Sequence, residues 1–250
     1  MNNKHEDVFF QIHQGLDREG PGDSNSTKKA FLKLIDLPPH PKILDIGCGP
    51  GFQTLDLARL TNGTIIAIDN HSVYIKELEQ KVLQAGWSEK ITVVNADMFA
   101  LDFLEANFDI IWAEGSIYII GFENGLKQWK PLLKEKGYLV ASEITWLQPN
   151  PPTELKEFWR VGYPAMQDIE GNLKIIQNSG YKIIDHFVLP ESSWWNYYYQ
   201  PLEEKLQALR KHYQDDTEAL EVINMEQLEI DLYRQYSQYY GYLFYIMQKY

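Results

Sequence analysis

Ile43-Leu44-Asp45-Ile46-Gly47-Cys48-Gly49-Pro50-Gly51 decides the fold. An apolar run of strand-forming residues enters a turn rich in glycine, and the stretch Thr54 to Leu60 behind it has helical spacing. Glycines at Gly47 and Gly49 leave room for a ligand to approach the backbone, so strand, turn and helix together form a cradle for a nucleotide-like group.

Working outward, short apolar runs rich in β-branched residues recur at Lys42 to Ile46, Ile65 to Ile68, Ile91 to Asn95, Phe108 to Trp112 and Tyr138 to Ser142. Helical segments stand between them at Thr54 to Leu60, Ser72 to Gln84 and Gly125 to Leu133. This alternation predicts βαβ units and a parallel sheet covered on both faces. Further on, Thr153 to Arg160 and Asn172 to Ser179 are expected helices, Gly180 a terminator, and Tyr181 to Leu189 and Tyr240 to Met247 the last two strands. Before the core, a weakly amphipathic helix, the loop Gly20-Pro21-Gly22-Asp23 and a second helix carrying Ala30, Phe31, Leu34 and Ile35 are expected, ending at Pro38-Pro39. No repeat or linker divides the chain. One domain is expected over 1–250, with a helical cover at 1–40, a cofactor-binding core at 41–190, a helical and aromatic insertion at 191–238 and a final strand at 239–250.

The glycine turn discriminates between ligands. A dinucleotide fingerprint needs glycine at the first, third and sixth positions, whereas the sixth position from Gly47 is Phe52 and the glycine falls on Gly51. Asp45 just ahead would repel a pyrophosphate and suits a ligand with positive charge, an ammonium or a sulfonium. Leu44 to Gly51 resembles the first motif of the class I S-adenosylmethionine-dependent methyltransferases, small-molecule type. The resemblance continues through Ile66-Ala67-Ile68-Asp69, Asn95-Ala96-Asp97-Met98, the stretch Phe108 to Gly115 and the stretch Leu132 to Leu139, and covers Lys42 to Glu143. It implies a Rossmann-like three-layer α/β sandwich, with a mostly parallel seven-stranded sheet, an antiparallel last strand and helices on both faces. It also implies that S-adenosyl-L-methionine is held by Asp45, Gly47, Cys48 and Gly49, by Asp69 and Asn70 at the ribose, by Asp97 and Met98 at the adenine, and by Glu114.

Methyl transfer from a sulfonium is an in-line displacement, so alignment can supply much of the acceleration and a general base is optional. For a base or orienting group the candidates are Glu114, Tyr118, Glu143 and His186, on strand ends that face the acceptor; each also has a structural explanation in the core or a strand. The six histidines are dispersed without ligand spacing, and no metal is expected. Trp112, Trp146, Trp159, Trp194, Trp195 and Tyr197 to Tyr199 follow the cofactor motifs. Aromatic faces attract cations, which suggests an amine or an aromatic metabolite as acceptor; alternatively these residues pack the insertion or a homodimer contact. The Gly20 to Asp23 loop is expected either to close over the cofactor, with Phe9, Phe10 and Ile12 as the apolar face of a lid, or to be a helix-entry turn capped by Asp23 or Ser24.

Composition bounds the partners. With 250 residues, 44% hydrophobic and 23% charged, the chain can build a core, and 35 acidic against 23 basic residues give a net charge of -12 that repels nucleic acid and anionic membranes. Cys48 stands alone, no apolar run approaches the ~20 residues of a membrane span, and the start Met1 to Asp7 is polar, so a cytoplasmic enzyme is expected. Three other readings stay open: a catalytically silent cofactor-binding regulator or partner subunit, an NAD-dependent oxidoreductase, and a protein methyltransferase, whose mark would be an open, shallow groove.

Overall fold

Each expected apolar run is a strand in the computed structural model, which describes residues 3–250. Among the described residues β1 (Lys42–Ile46), β2 (Thr64–Asp69), β3 (Ile91–Asn95), β4 (Phe108–Ala113), β5 (Leu133–Trp146), β6 (Tyr181–Val188) and β7 (Tyr240–Lys249) form one sheet in the order β3-β2-β1-β4-β5-β7-β6. β7 is antiparallel to both of its neighbours, and the other pairings are parallel. The helices are α1 (Asn3–His13), α2 (Ser24–Phe31), α3 (Phe52–Leu60), α4 (Ser72–Gln84), α5 (Ile117–Ile120) and α6 (Phe122–Trp129), then α7 (Thr153–Gly162), α8 (Ile169–Asn178), α9 (Glu191–Trp194), α10 (Gln200–His212) and α11 (Thr217–Tyr236). None of these helices is long and apolar enough to cross a membrane.

Strand residues alternate between two cores, as the period of two requires. Ile43, Ile65, Ile110 and Trp112 face α2, α3 and α4, whereas Leu44, Ile46, Ile68 and Ile111 face α6 and α8. Because both faces are covered, these side chains are buried almost completely, each stabilising the fold by roughly 1.5–3 kcal/mol relative to exposure.

The second helix stops at Phe31, short of the expected Leu34 and Ile35, and several other boundaries shift, two of them for a clear reason. The helix foreseen at Gly125 to Leu133 is α6, ending at Trp129, because Pro131 in the following 3-10 turn has no N–H to continue it. The chain is therefore free to begin β5 at Leu133, five residues before the expected start.

The insertion and the N-terminal helix fold together. α9, a π-helical stretch Trp195–Tyr199, α10 and α11 enclose a third apolar core into which α1 projects Val8 and Ile12. This layer lies over the carboxyl ends of β1 and β4. Those two strands mark the point where the chain reverses direction across the sheet, which is where open α/β sheets form a cleft.

Candidate active site

The floor of the cleft is the glycine turn. The N–H groups of Gly47 and Cys48 both donate to the carbonyl of Ile68 at 2.9 Å, fastening the turn to the end of β2. Gly47 (φ +73) is glycine because a Cβ there would collide with Ser116, whose hydroxyl donates to the Ile46 carbonyl at 2.6 Å. Gly49 (φ +51) differs: the nearest atom to a Cβ built there is Glu19 Cγ at 3.7 Å, and beyond it is cavity. The space that a ligand would use is therefore beside Gly49, whereas Gly47 answers to packing.

Asp69 ends β2 and ties the turn together from the other side. Its Oδ2 accepts the Gly49 N–H at 3.0 Å and its Oδ1 the His71 N–H at 2.8 Å, while burial pushes its carboxyl above the usual range. Asn70, Ala96 and Met98 continue this wall, and the whole cavity measures about 450 Å³, within the range of small-molecule sites.

Glu114, at the end of β4, lines the cavity with both oxygens engaged. Oε1 accepts from Thr27 Oγ1 at 2.7 Å and Trp112 Nε1 at 2.9 Å, and Oε2 accepts from Arg18 Nη2 at 2.6 Å. Arg18 itself is buried over the Phe52 ring, and its Nη1 has no acceptor. An orphaned guanidinium N–H against the cavity fits a carboxylate, as the amino-acid end of S-adenosylmethionine would bring.

The roof comes from α1 and the following loop. Phe10 stacks on His71 with centroids 4.2 Å apart, and Phe9 lies against His13, so both phenylalanines line the cavity while Ile12 is buried in the third core. His13 stands between Glu19, 3.3 Å from Nδ1, and Glu226, 3.4 Å from Nε2, close enough to attract but not aligned as hydrogen bonds. Burial opposes its charge, but the two carboxylates outweigh that and hold its pKa up at about 9. In the Gly20 loop, Asp23 caps α2 as expected by accepting from the N–H groups of Asn25 and Ser26, and Gly20 and Pro21 line the cavity.

The far wall is aromatic and acidic. Tyr118, Tyr163, Tyr198, Trp194 and Tyr242 line it, with Tyr118 and Tyr163 meeting edge to face. Glu226 and Glu229 project from α11 on the same side, and Tyr199 donates to Glu229 Oε1 at 2.9 Å. Glu143 lies just behind, 1% exposed, beside Tyr163, with Oε2 unpartnered and its carboxyl pushed by burial to about 8.

Several expected site residues fall elsewhere. Asp45 does not line the cavity: its position in β1 has the parity of Ile43, so it faces α3, accepts from Thr54 Oγ1 at 2.6 Å and is pushed by burial to about 7. Asp97 is exposed at the rim, where it accepts from the Phe99 N–H, and its neighbours Ala96 and Met98 line the cavity instead. His186 is exposed on β6, the edge strand of the sheet, away from the cleft. Cys48, Tyr118 and Glu114 do line it. Arg18, Glu226 and Glu229 were not singled out from the sequence, and nothing in their local patterns marks them.

Comparison with known proteins agrees with this geometry. Residues 43–137 match the model of a family described as "Methyltransferase domain". A malonyl-[acyl-carrier protein] O-methyltransferase of Legionella pneumophila is 26% identical over 226 residues, covering 84% of this chain and 73% of that protein. A sterol 24-C-methyltransferase of Yarrowia lipolytica is 25% identical over 159 residues, covering 60% of this chain and 41% of its own length, so the chain spans less than half of that relative. Among solved structures, a SAM-dependent methyltransferase from Geobacter sulfurreducens in complex with S-adenosyl-L-homocysteine superposes with a TM-score of 0.82 at 16% identity, covering 98% of both chains. The [4+2]-cyclase SpnF superposes with a TM-score of 0.75 at 20% identity, over 98% of this chain and 92% of that one. These structural likenesses establish the Rossmann-like fold.

Proposed function

Because residues 43–137 match the methyltransferase-domain model, we propose that the chain belongs to the S-adenosylmethionine-dependent methyltransferases and is an enzyme that binds S-adenosyl-L-methionine and methylates a small molecule, an amine or an aromatic metabolite. The observation that carries this is the single cavity in which Gly49, Asp69, Met98 and Glu114, at the ends of β1 to β4, share a space with the aromatic far wall.

S-adenosylmethionine, when bound, supplies a methyl group on a sulfonium. The chain's own groups do the rest. Asp69 presents its carboxylate beside Gly49 to two vicinal hydroxyls, and the free Arg18 N–H meets a carboxylate. Phe9, Phe10 and the aromatic wall exclude water and fix the acceptor's approach, so alignment is the main source of rate. Tyr118 lines the cavity and presents a phenol to orient an acceptor; Glu143, outside the lining, interacts with Tyr163, which lines it.

The enclosing roof of α1 and α9 to α11 favours a small acceptor over a protein, which would need an open groove. A silent cofactor-binding protein is the second reading, supported by the likeness in fold to the [4+2]-cyclase SpnF, since one fold can serve different chemistries. Calorimetric titration with S-adenosylmethionine, S-adenosylhomocysteine and NAD tests the proposal. Roughly micromolar binding of the two adenosyl ligands and none of NAD is expected; binding of NAD alone would overturn it. Methyl transfer to a panel of amines and phenols then separates enzyme from silent binder.

A further inference from the structure

The far wall carries more negative charge than its neighbours cancel. Glu226 and Glu229 line this wall and Glu19 lines the cavity beside Gly49; among the described residues His13 is the cation set between Glu19 and Glu226, since Arg18 is closed onto Glu114. Glu226 and Glu229 lie three residues apart on α11, so they project from one face of the helix. Glu229 lines the cavity and keeps one oxygen on the Tyr199 hydroxyl.

Around these carboxylates the walls are π-faces: Tyr118, Tyr163, Tyr198 and Trp194. Carboxylates and aromatic faces in one enclosure attract the same kind of guest, a desolvated cation. A second, independent feature belongs to the same wall. The indole Nε1 of Trp194, a residue 1% exposed, has no acceptor in the protein although the side chain lines the cavity. A buried N–H left without a partner is costly unless an occupant supplies one, so the guest that fits carries an oxygen as well as a positive charge.

We propose that the acceptor site recognises a small ammonium compound bearing an oxygen, of the amino-alcohol kind, with Glu229 and Glu226 facing the ammonium, the aromatic wall enclosing it, and Trp194 Nε1 donating to the oxygen. This rests on the methyltransferase reading and narrows its acceptor. Burial and the neighbouring Glu226 push the Glu229 carboxyl to about 7, and an ammonium placed beside it relieves that repulsion. Where the guest is a protonated amine, the proton that leaves it passes to the Glu229 carboxylate, giving a neutral amine with a free lone pair and a neutral carboxyl group.

The sulfonium of the cofactor is a cation too; the experiment separates the two. Binding of choline and of its uncharged isostere 3,3-dimethylbutan-1-ol is measured by calorimetry on the full chain, with and without saturating S-adenosylhomocysteine, for the wild type and for Glu229→Gln. Choline is expected to bind at least about tenfold more tightly than the alcohol, and Glu229→Gln to bring the two within about threefold while leaving S-adenosylhomocysteine affinity unchanged, which also shows that the variant is folded. Equal binding of both probes by a wild type that binds S-adenosylhomocysteine overturns the cationic site and leaves the methyltransferase reading standing. A preference for choline that survives Glu229→Gln overturns the role of Glu229. If Glu229→Gln instead lowers the affinity for S-adenosylmethionine relative to S-adenosylhomocysteine and leaves choline untouched, the carboxylate serves the sulfonium and the proposal falls. Should S-adenosylhomocysteine not bind at all, the cofactor reading fails, and the comparison of the two probes on the unliganded chain still decides the cationic site.

Discussion

Arg18 and Glu114, ninety-six residues apart, meet at 2.6 Å with both side chains almost wholly removed from water. The pair joins the N-terminal loop to the end of β4. Thr27 and Trp112 saturate the other oxygen of Glu114, so among the described residues Arg18 is the cation that compensates it. Removing one member of such a pair leaves a buried charge, at a cost of about 3–5 kcal/mol. Arg18→Met should therefore unfold at markedly lower urea concentration than the wild type. Combining it with Glu114→Gln should restore part of the loss. A double variant no more stable than the sum of the singles predicts would remove the coupling.

The cofactor half has two sharp tests. Gly49→Val puts a branched side chain into the cavity at a left-handed φ and should abolish S-adenosylhomocysteine binding. Asp69→Ala removes the acceptor for Gly49 and His71 as well as the carboxylate proposed to hold the ribose, and should weaken binding by roughly tenfold to a hundredfold. Calorimetry on variants with wild-type circular dichroism measures both; unchanged affinity in either would dismiss that residue.

Glu143 makes the alkaline side of the stability profile informative. Its folded-state pKa, about 8, lies above the ordinary glutamate value of 4.5, so the folded chain holds the extra proton between those limits and stability falls as pH rises through them. Glu143→Gln should be more stable than the wild type above pH 8, by about 2–4 kcal/mol, and indistinguishable from it below pH 4.5. Thermal unfolding across pH 4 to 9 gives the difference directly. A variant less stable at every pH would show that the carboxylate is better satisfied than its unpartnered Oε2 indicates.

His13 acts with the same sign by another route. Glu19 and Glu226 raise its pKa from 6.5 to about 9, so its contribution is complete below 6.5 and lost as pH rises through 9. Its magnitude is on the order of 1–3 kcal/mol, since the ion pairs are misaligned. In His13→Gln this part of the pH dependence should vanish. Protection of α1 amides from hydrogen exchange should fall at pH 7 in the variant and match the wild type above pH 10.

What the sequence discloses about this molecule follows the distance over which each feature is assembled. Strands such as Ile65 to Ile68 are recognisable because burial on both faces demands an unbroken apolar run. Gly49, Asp69 and Met98 are recognisable because each sits at the end of its own strand. Asp45 misleads because its charge lies next to the turn, while strand parity turns it toward Thr54. Arg18, Glu226 and Glu229 come from segments about two hundred residues apart, and only the docking of α1 on α11 brings them to one cavity. A solvated helix face and a cavity wall look alike in sequence, so the acidic stripe of α11 could not be assigned there.

The position of β7 has a consequence for synthesis. β6 pairs with no strand other than β7, which also completes the edge of β5. While a ribosome is still adding the helices of residues 191–236, residues 181–188 have been made and have no partner, and the exposed margin of β5 waits with them. The sheet closes only when the final ten-residue strand emerges. Nascent chains stalled before Tyr240 would display two unpaired strand edges, the form of polypeptide that chaperones retain and that pairs most readily with its own copies.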